Sequence, residues 1–453
     1  METESFSDSL PFDPADPRAA LTQLPQSPAV FAVYGAEAHF EPYIGRTPNL
    51  RGRLERLLQP SAKHPRRLQL AGRVRQIRWR LTGSEFESLL AQFHLLEEVY
   101  GAKALERMHL GAPAFVRFLG SNAYPRITVT NRPSQREGQW AYGPFQSRAA
   151  AERFAEEALK LFLLRRCTEE LNPNPTHPGC VYSEMKMCLA PCYQGCTDER
   201  YAEEAAAVER FLATRGESRL VVLRAQRDEA SANLEFEAAA ALHAQVLRVE
   251  SVRALAPELI RPLSQLRAII LQASALPGEV AVFLYENGRL CGPAGFSTLG
   301  MRIQNEQSGS TSLFAHPMAM EPILETTGIR DQGSEISLNH PAETLSQPEV
   351  DSAEALPSGI GTQEVAPAKL ARGTLEARME AVLAALTESS ETPSPILRQG
   401  HLALVKRWYY RPEVRRSGDI FFPGAEGRWP VRAMLRGVGR VAAKMLTGGS
   451  RTD

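Results

Sequence analysis

The 453-residue chain has no long apolar run, no net charge and only six cysteines, and each shortage excludes something. A bilayer-spanning helix needs about 20 consecutive apolar residues, and no segment supplies them. The start, METESFSDSLPFDPADPR, lacks the basic-then-apolar layout of a secretory signal, so a cytoplasmic protein without membrane contact is expected. Zero formal charge removes any whole-chain argument for nucleic acid and leaves only local charge to carry one. Locally, residues 401–453 hold eleven Lys or Arg against four Asp or Glu, while 304–368 hold ten acids and the single base Arg330. The cysteines are few but crowded, with five between 167 and 196 and Cys291 alone. In a reducing compartment such crowding points to a metal or redox centre rather than a disulfide framework.

What is present reads as α+β, in several pieces rather than one core. Within 22–110, AVFAVYG (29–35) and PYIGRT (42–47) are expected as two strands of a hairpin. NLRGRLERLL (49–58) has leucines at helical spacing and arginines on other faces. VRQIRWRLT (74–82) suits a strand, and SEFESLLAQFHLLEEVY (84–100) a helix capped by Ser84 with Glu87 completing a capping box. Residues 111–197 contain FVRFL, RITVT and YGPF, then a helix over SRAAAERFAEEALKLFLLR that leads into the cysteines. Alanine- and glutamate-rich helices fill 198–256, and a β-hairpin is expected over 265–300. Residues 304–368, polar and without period, read as a disordered linker, and 370–453 as a basic C-terminal segment.

The cysteine spacing is Cys167-x12-Cys180-x7-Cys188-x3-Cys192, with Cys196 four residues further on. Thiolates are soft ligands for zinc or iron–sulfur clusters. Spacing alone leaves the metal open, since zinc ribbons more often show two C-x2-C pairs.

In the same order along the chain, YGPF (142–145), LFLLRRC, PGCVYSEMKMCLAPC and NLEFEAAAALHAQV resemble successive segments of the UvrC family. The resemblance spans about 22–256 and weakly continues to Gly300, which brings in a front domain of the GIY-YIG nuclease type. It implies a [4Fe–4S] cluster on Cys167, Cys180, Cys188 and Cys192, with zinc as the alternative and Cys196 spare. The second nuclease domain and helix-hairpin-helix end of full-length UvrC proteins are not seen, so the extent is closer to short, Cho-like homologues.

A GIY-YIG nuclease uses a tyrosine near the attacking water, cations for the phosphate and a carboxylate-held Mg²⁺ or Mn²⁺. The resemblance implies Tyr43, Arg46 and Arg53 as the phosphate-side elements. Two positions depart from it. Phe31 stands where the family has the first tyrosine, and Gln92 stands where it has the metal-binding glutamate, five residues after Glu87. An amide loses the negative charge that holds a hard cation. Glu97 and Glu98 project about 140° and 240° away around the helix and do not replace it. A degenerate site is therefore expected, against a working metal-dependent endonuclease or a zinc-stabilised interaction protein.

Two binding surfaces are expected. Lys63, Arg66, Arg67, Arg73, Arg75, Arg78 and Arg80 form a basic run suited to DNA phosphates, with Trp79 either stacking on a base or buried. The 233–250 stretch resembles the UVR motif and implies docking of a UvrB-type protein through Leu234, Glu235, Phe236 and Ala239 at a helical bend, with His243 departing from the usual arginine.

Overall fold

The computed structural model describes residues 6–37, 40–58, 70–132, 140–301, 372–387, 393–424 and 426–448. The linker expected over 304–368 and the basic residues Lys63, Arg66 and Arg67 lie outside them. Among the described residues the chain mixes helix and sheet, the α+β class read from the sequence.

Strand β1 (Asp8–Pro11), helix α1 (Pro17–Leu21), β2 (Ala29–Gly35), β3 (Tyr43–Thr47), α2 (Leu50–Leu58) and β4 (Val74–Leu81) precede the long helix α3 (Glu85–Tyr100) and the short α4 (Lys103–Arg107). The strands form an antiparallel sheet ordered β1-β4-β2-β3. Phe31 pairs with Gly45 and Trp79, and Val33 with Tyr43 and Ile77. Residues directly opposite share a face, so this side meets Leu50, Leu54 and Leu58 of α2 in one core. Trp79 belongs to that core, which removes it from base stacking and leaves the buried alternative. The opposite face carries Ala32, Ile44, Arg46, Arg78 and Arg80. Ser84 caps α3 by accepting from the Glu87 amide at 3.1 Å, as expected. The Glu87 carboxylate does not close the reciprocal half of the box; it accepts from the Gly83 amide at 2.8 Å.

Strands β5 (Ala114–Phe118), β6 (Ile127–Thr130), β7 (Ala141–Phe145) and the two-residue β8 (Arg261–Pro262) make a second sheet ordered β6-β5-β7-β8. Helix α5 (Arg148–Leu159) packs on it and ends about six residues before the sequence pattern suggests. The backbone of Leu163 is recruited elsewhere: its amide donates to Glu204 at 2.7 Å and its carbonyl accepts from the Leu189 amide at 3.0 Å. The short α6 (Val181–Glu184) follows, then α7 (Asp198–Ala213) and the hairpin of α8 (Glu217–Ala232) and α9 (Phe236–Ala254).

The hairpin expected over 265–300 is part of a larger sheet. Strands β9 (Ala268–Ala273), β10 (Glu279–Glu286) and β11 (Arg289–Ser297) are joined by β12 (Asp419–Phe421) from the basic C-terminal segment, in the order β11-β10-β9-β12. Leu271, Val280 and Val282 face α10 (Arg372–Thr387) and α12 (Val431–Gly448). Ile270, Phe283 and Tyr285 face α3 and α11 (Pro395–Tyr409), with Phe86, Phe93 and Trp408 between them. The C-terminal segment is thus built into the same body as residues 6–301. The near-continuous apolar runs AIILQA and VAVFLY dictate this: a strand buried on both faces needs a helix layer on each.

Close packing and a buried polar pair fix α11 against α3. A side chain at Gly400 would overlap the Phe93 ring, so only glycine permits this approach. His94 and His401 meet at 2.8 Å between their Nε2 atoms. His401 Nδ1 accepts from the Leu290 amide at 3.1 Å, so its Nε2–H donates and His94 accepts. Burial holds both imidazoles well below the ordinary histidine range, with Arg80 acting further on His94 and the His94 ring itself on His401. The unfolded chain therefore binds more protons as acid is added, and the pair's contribution is present above about pH 6.5 and lost below it. Urea midpoints should fall progressively from about pH 6.5 downward, and a His94→Phe, His401→Leu variant should flatten that dependence.

Candidate nucleic-acid and metal sites

The GIY-YIG-like residues separate into two groups. Tyr43 lies on the edge strand β3, partly exposed, and its hydroxyl accepts from Arg53 Nη2 at 3.1 Å. Arg53 comes from the first turn of α2, so the β3–α2 connection brings this pair together. Phe31 sits beneath them, fully buried, its ring 6.1 Å from that of Tyr43. Gly45 makes this stack possible: an added Cβ would stand 2.9 Å from Phe31 Cζ and 3.4 Å from Tyr43 Cε1. Arg46, three residues after Tyr43, falls on the other side of the pleat. There its guanidinium pairs with Glu85 at 3.4 Å.

Glu85 also accepts two bonds from Arg411 of the C-terminal segment, at 2.7 and 2.8 Å. The Arg411 hydrogen bonds, with the charges of Arg411, Arg46 and Arg407, hold its carboxyl below the usual range. Gln92, half-buried, stands seven residues after Glu85 and so within about 20° of it around α3. Glu87 is enclosed, and burial raises its carboxyl despite the Gly83 amide and the nearby Arg80.

Four of the seven basic residues proposed for DNA are described. Arg78 lies over the Tyr34 ring at 5.0 Å and bonds Gln76. Arg73 lies over Phe40 and pairs with Glu37 at 3.3 Å. Arg75 donates to the Gly72 and Val74 carbonyls, and Arg80 approaches Glu87 at 3.9 Å. They do not share one face: Arg78 and Arg80 lie on the α3 side of the sheet, whereas Arg73 precedes the strand.

The cysteine segment is a wound loop. Cys180 begins α6, and the Ser183 hydroxyl accepts from its amide and donates to its carbonyl. Cys192 is buried in the 3₁₀ turn Pro191–Tyr193, flanked by Ala190 and Gln194, both in the left-handed region. The Cys192 carbonyl accepts from the Asn174 amide at 2.9 Å, and Cys167 Sγ accepts from Arg165 Nη1 at 3.7 Å. Burial pushes the Cys188 thiol up, with Cys180, Cys192 and Cys167 adding to it. Burial does the same for Cys192, with Cys180 and Cys167 adding. These four thiols thus lie within reach of one another's charge. The charged neighbours of Cys196 are Asp198 and Arg200 instead. Among the described residues no three His, Cys, Asp or Glu side chains converge tightly enough to hold a single ion. Four soft thiols in one another's field are chemically suited to a thiolate-bound metal centre, zinc or iron–sulfur alike.

The α8–α9 hairpin presents its tip. Leu234 and Phe236 are 71% and 66% exposed, Glu235 is exposed and Ala239 half-buried. Leu234 adopts a left-handed φ of 61° that turns the chain between the helices. Ion pairs Arg224–Glu250 at 2.8 Å and Arg253–Glu217 at 3.0 Å brace the stem.

Sequence reasoning missed Glu85, Arg411 and Arg165. The run LLRRC placed Arg165 beside a cysteine, and that was a usable signal. The Arg411–Glu85 contact joins residues 326 apart and left none.

Comparison with known proteins bears on the front half. Residues 115–211 match the family described as UvrC/Cho excinuclease, middle domain. The chain is 29% identical over 238 residues to the UvrABC system protein C of Alcanivorax borkumensis, covering 52% of this chain and 39% of the relative. It is 30% identical over 238 residues to that of Pseudomonas syringae pv. syringae, with the same coverage. It is 27% identical over 283 residues to that of Ruminiclostridium cellulolyticum, covering 61% and 45%. The chain thus matches about two fifths of the length of these relatives. No solved structure matches the chain.

Proposed function

We propose, from the premise that this chain belongs to the UvrC-type family, that it acts in nucleotide excision repair by binding DNA and a UvrB-type partner, with a GIY-YIG site that does not cut. The observation that carries this reading is a half-built site. Tyr43 and Arg53 are hydrogen-bonded at 3.1 Å, which suits a phosphate contact. Phe31 brings no hydroxyl to activate water, and Gln92 brings no charge to hold a divalent ion. Arg46 is drawn to Glu85 rather than left for phosphate. Binding groups remain where the hydrolytic ones are missing.

Cys167, Cys180, Cys188 and Cys192 would hold a [4Fe–4S] cluster, which when bound supplies a rigid, electron-accepting cross-link. The chain's own residues prepare for it: the Ser183–Cys180 and Asn174–Cys192 bonds wind the loop, and the Leu163–Leu189 bond ties it to the segment that follows α5.

The exposed pair Leu234 and Phe236 supports docking of a partner with an apolar cleft, because aromatic anchors of this size carry much of an interface's energy. Phe236→Ala is expected to weaken co-purification with UvrB by about 30-fold or more, a loss of roughly 2 kcal/mol. Thermal stability should stay close to that of the natural chain, since the ring is exposed. The reading as a whole is tested by fluorescence anisotropy with duplex DNA over a salt series. Affinity should fall steeply with salt, and Arg53→Ala should lower the logarithmic slope by about one. Absence of salt-sensitive binding, together with no association of the intact chain with UvrB, contradicts it and favours a zinc-stabilised interaction protein.

A further inference from the structure

Beside Cys167 the fold buries positive charge that neither DNA contact nor partner docking uses. Arg165 is only 3% exposed. Its Nε donates to the Tyr124 carbonyl at 3.0 Å, and its Nη1 donates to the Glu169 carbonyl at 2.9 Å and reaches Cys167 Sγ at 3.7 Å. Among the described residues no carboxylate pairs with it. Arg126 adds a second guanidinium, whose Nε is buried without an acceptor. Burial and the charge of Arg165 disfavour its protonated form, and Cys167 acts in the opposite sense. A cation enclosed without a counter-charge is costly, so buried charges are paired or neutralised. Cys167 is the side chain that Arg165 reaches, and as a metal-bound thiolate it is the anion that this arrangement lacks.

We infer that Arg165, seconded by Arg126, is the counter-charge of the four-cysteine centre: a positioning residue that stabilises Cys167 as a metal-bound thiolate and raises the reduction potential of the cluster. The inference rests on the reading that these cysteines hold an iron–sulfur cluster. Thiolate ligands carry negative charge into the interior, and hydrogen bonds and cations at the sulfurs make an added electron easier to accept. The two backbone carbonyls on Arg165 fix its orientation, so the third interaction is aimed at Cys167 rather than at solvent.

The test compares the natural chain with Arg165→Met, Arg165→Lys and Arg126→Met, all purified without oxygen. Iron and sulfide are measured per chain, and the midpoint potential is followed by redox titration. The methionine at 165 is expected to shift the midpoint negative by about 59 mV or more, tenfold for a one-electron couple, or to lower iron occupancy several-fold. Lysine at 165 should recover most of the shift, because it restores the charge without the fixed fork of arginine. Arg126→Met, at a half-exposed position where folding is retained by circular dichroism, should shift the midpoint in the same direction by less. An iron-loaded natural chain whose Arg165→Met and Arg126→Met variants keep both its midpoint and its iron overturns this inference alone. A natural chain that carries no iron overturns the cluster reading and this inference with it.

Discussion

Replacing Cys192 by serine should strip the chain of iron and loosen the whole cysteine loop. Cys192 is the most enclosed of the four thiols and sits on a 3₁₀ turn between two residues with left-handed backbone. A serine hydroxyl fits the space but is a hard, weakly acidic donor, poorly matched to iron. Loss of outer partners alone costs about 10–100-fold in metal affinity, so loss of a ligand should cost at least about 100-fold. Since metal binding by such a loop is also folding free energy, faster hydrogen exchange is expected over residues 163–196. Cys196→Ser should leave iron content unchanged, because the charged neighbours of that thiol are Asp198 and Arg200. Equal losses for both variants would mean that the four-ligand assignment is drawn around the wrong cysteines.

The second large effect is a gain. Gln92→Glu should strengthen divalent-ion binding at the GIY-YIG-like site, raising Mn²⁺ affinity by at least about tenfold, or roughly 1.4 kcal/mol. Position 92 lies two turns, about 10 Å, along α3 from Glu85, whose carboxylate is already held by Arg411 and Arg46, so the new carboxylate would supply the missing charge by itself. Slow Mn²⁺-dependent nicking of plasmid DNA should accompany the binding. Without a hydroxyl at position 31, the rate should stay about 10²–10⁴-fold below that of a site with complete acid–base machinery. Calorimetric Mn²⁺ titration of the two proteins checks the affinity. No difference between them would show that position 92 is not where the metal belongs.

Much of the local structure was legible because its causes are local. Alternation marked β2 and β3, leucines at helical spacing marked α2, and Ser84 marked the start of α3. The four-cysteine grouping rests on spacing and resemblance, and the thiols whose charges act on Cys188 and Cys192 belong to that set. What could not be read are the choices made by distant partners. The chain after Leu159 leaves the helix because Glu204 and Leu189 take the backbone of Leu163. Strand β12 pairs with β9 across about 150 intervening residues, so the basic C-terminal segment gave no sign of being part of a sheet. The resemblance groups Arg46 with Tyr43 and Arg53, yet the pleat sends it to Glu85, which Arg411 also holds. Tyrosine 43 and Arg53 came together as expected because one short connection joins β3 to α2.

The central claim is that DNA-binding groups persist at a site without the means to cut. A plasmid-nicking assay on the unaltered chain with Mg²⁺ and with Mn²⁺, run at a salt concentration where DNA binding is saturated, tests it most directly. Intact supercoiled plasmid is expected with either ion. Nicking that disappears on Tyr43→Phe while DNA binding remains would contradict it.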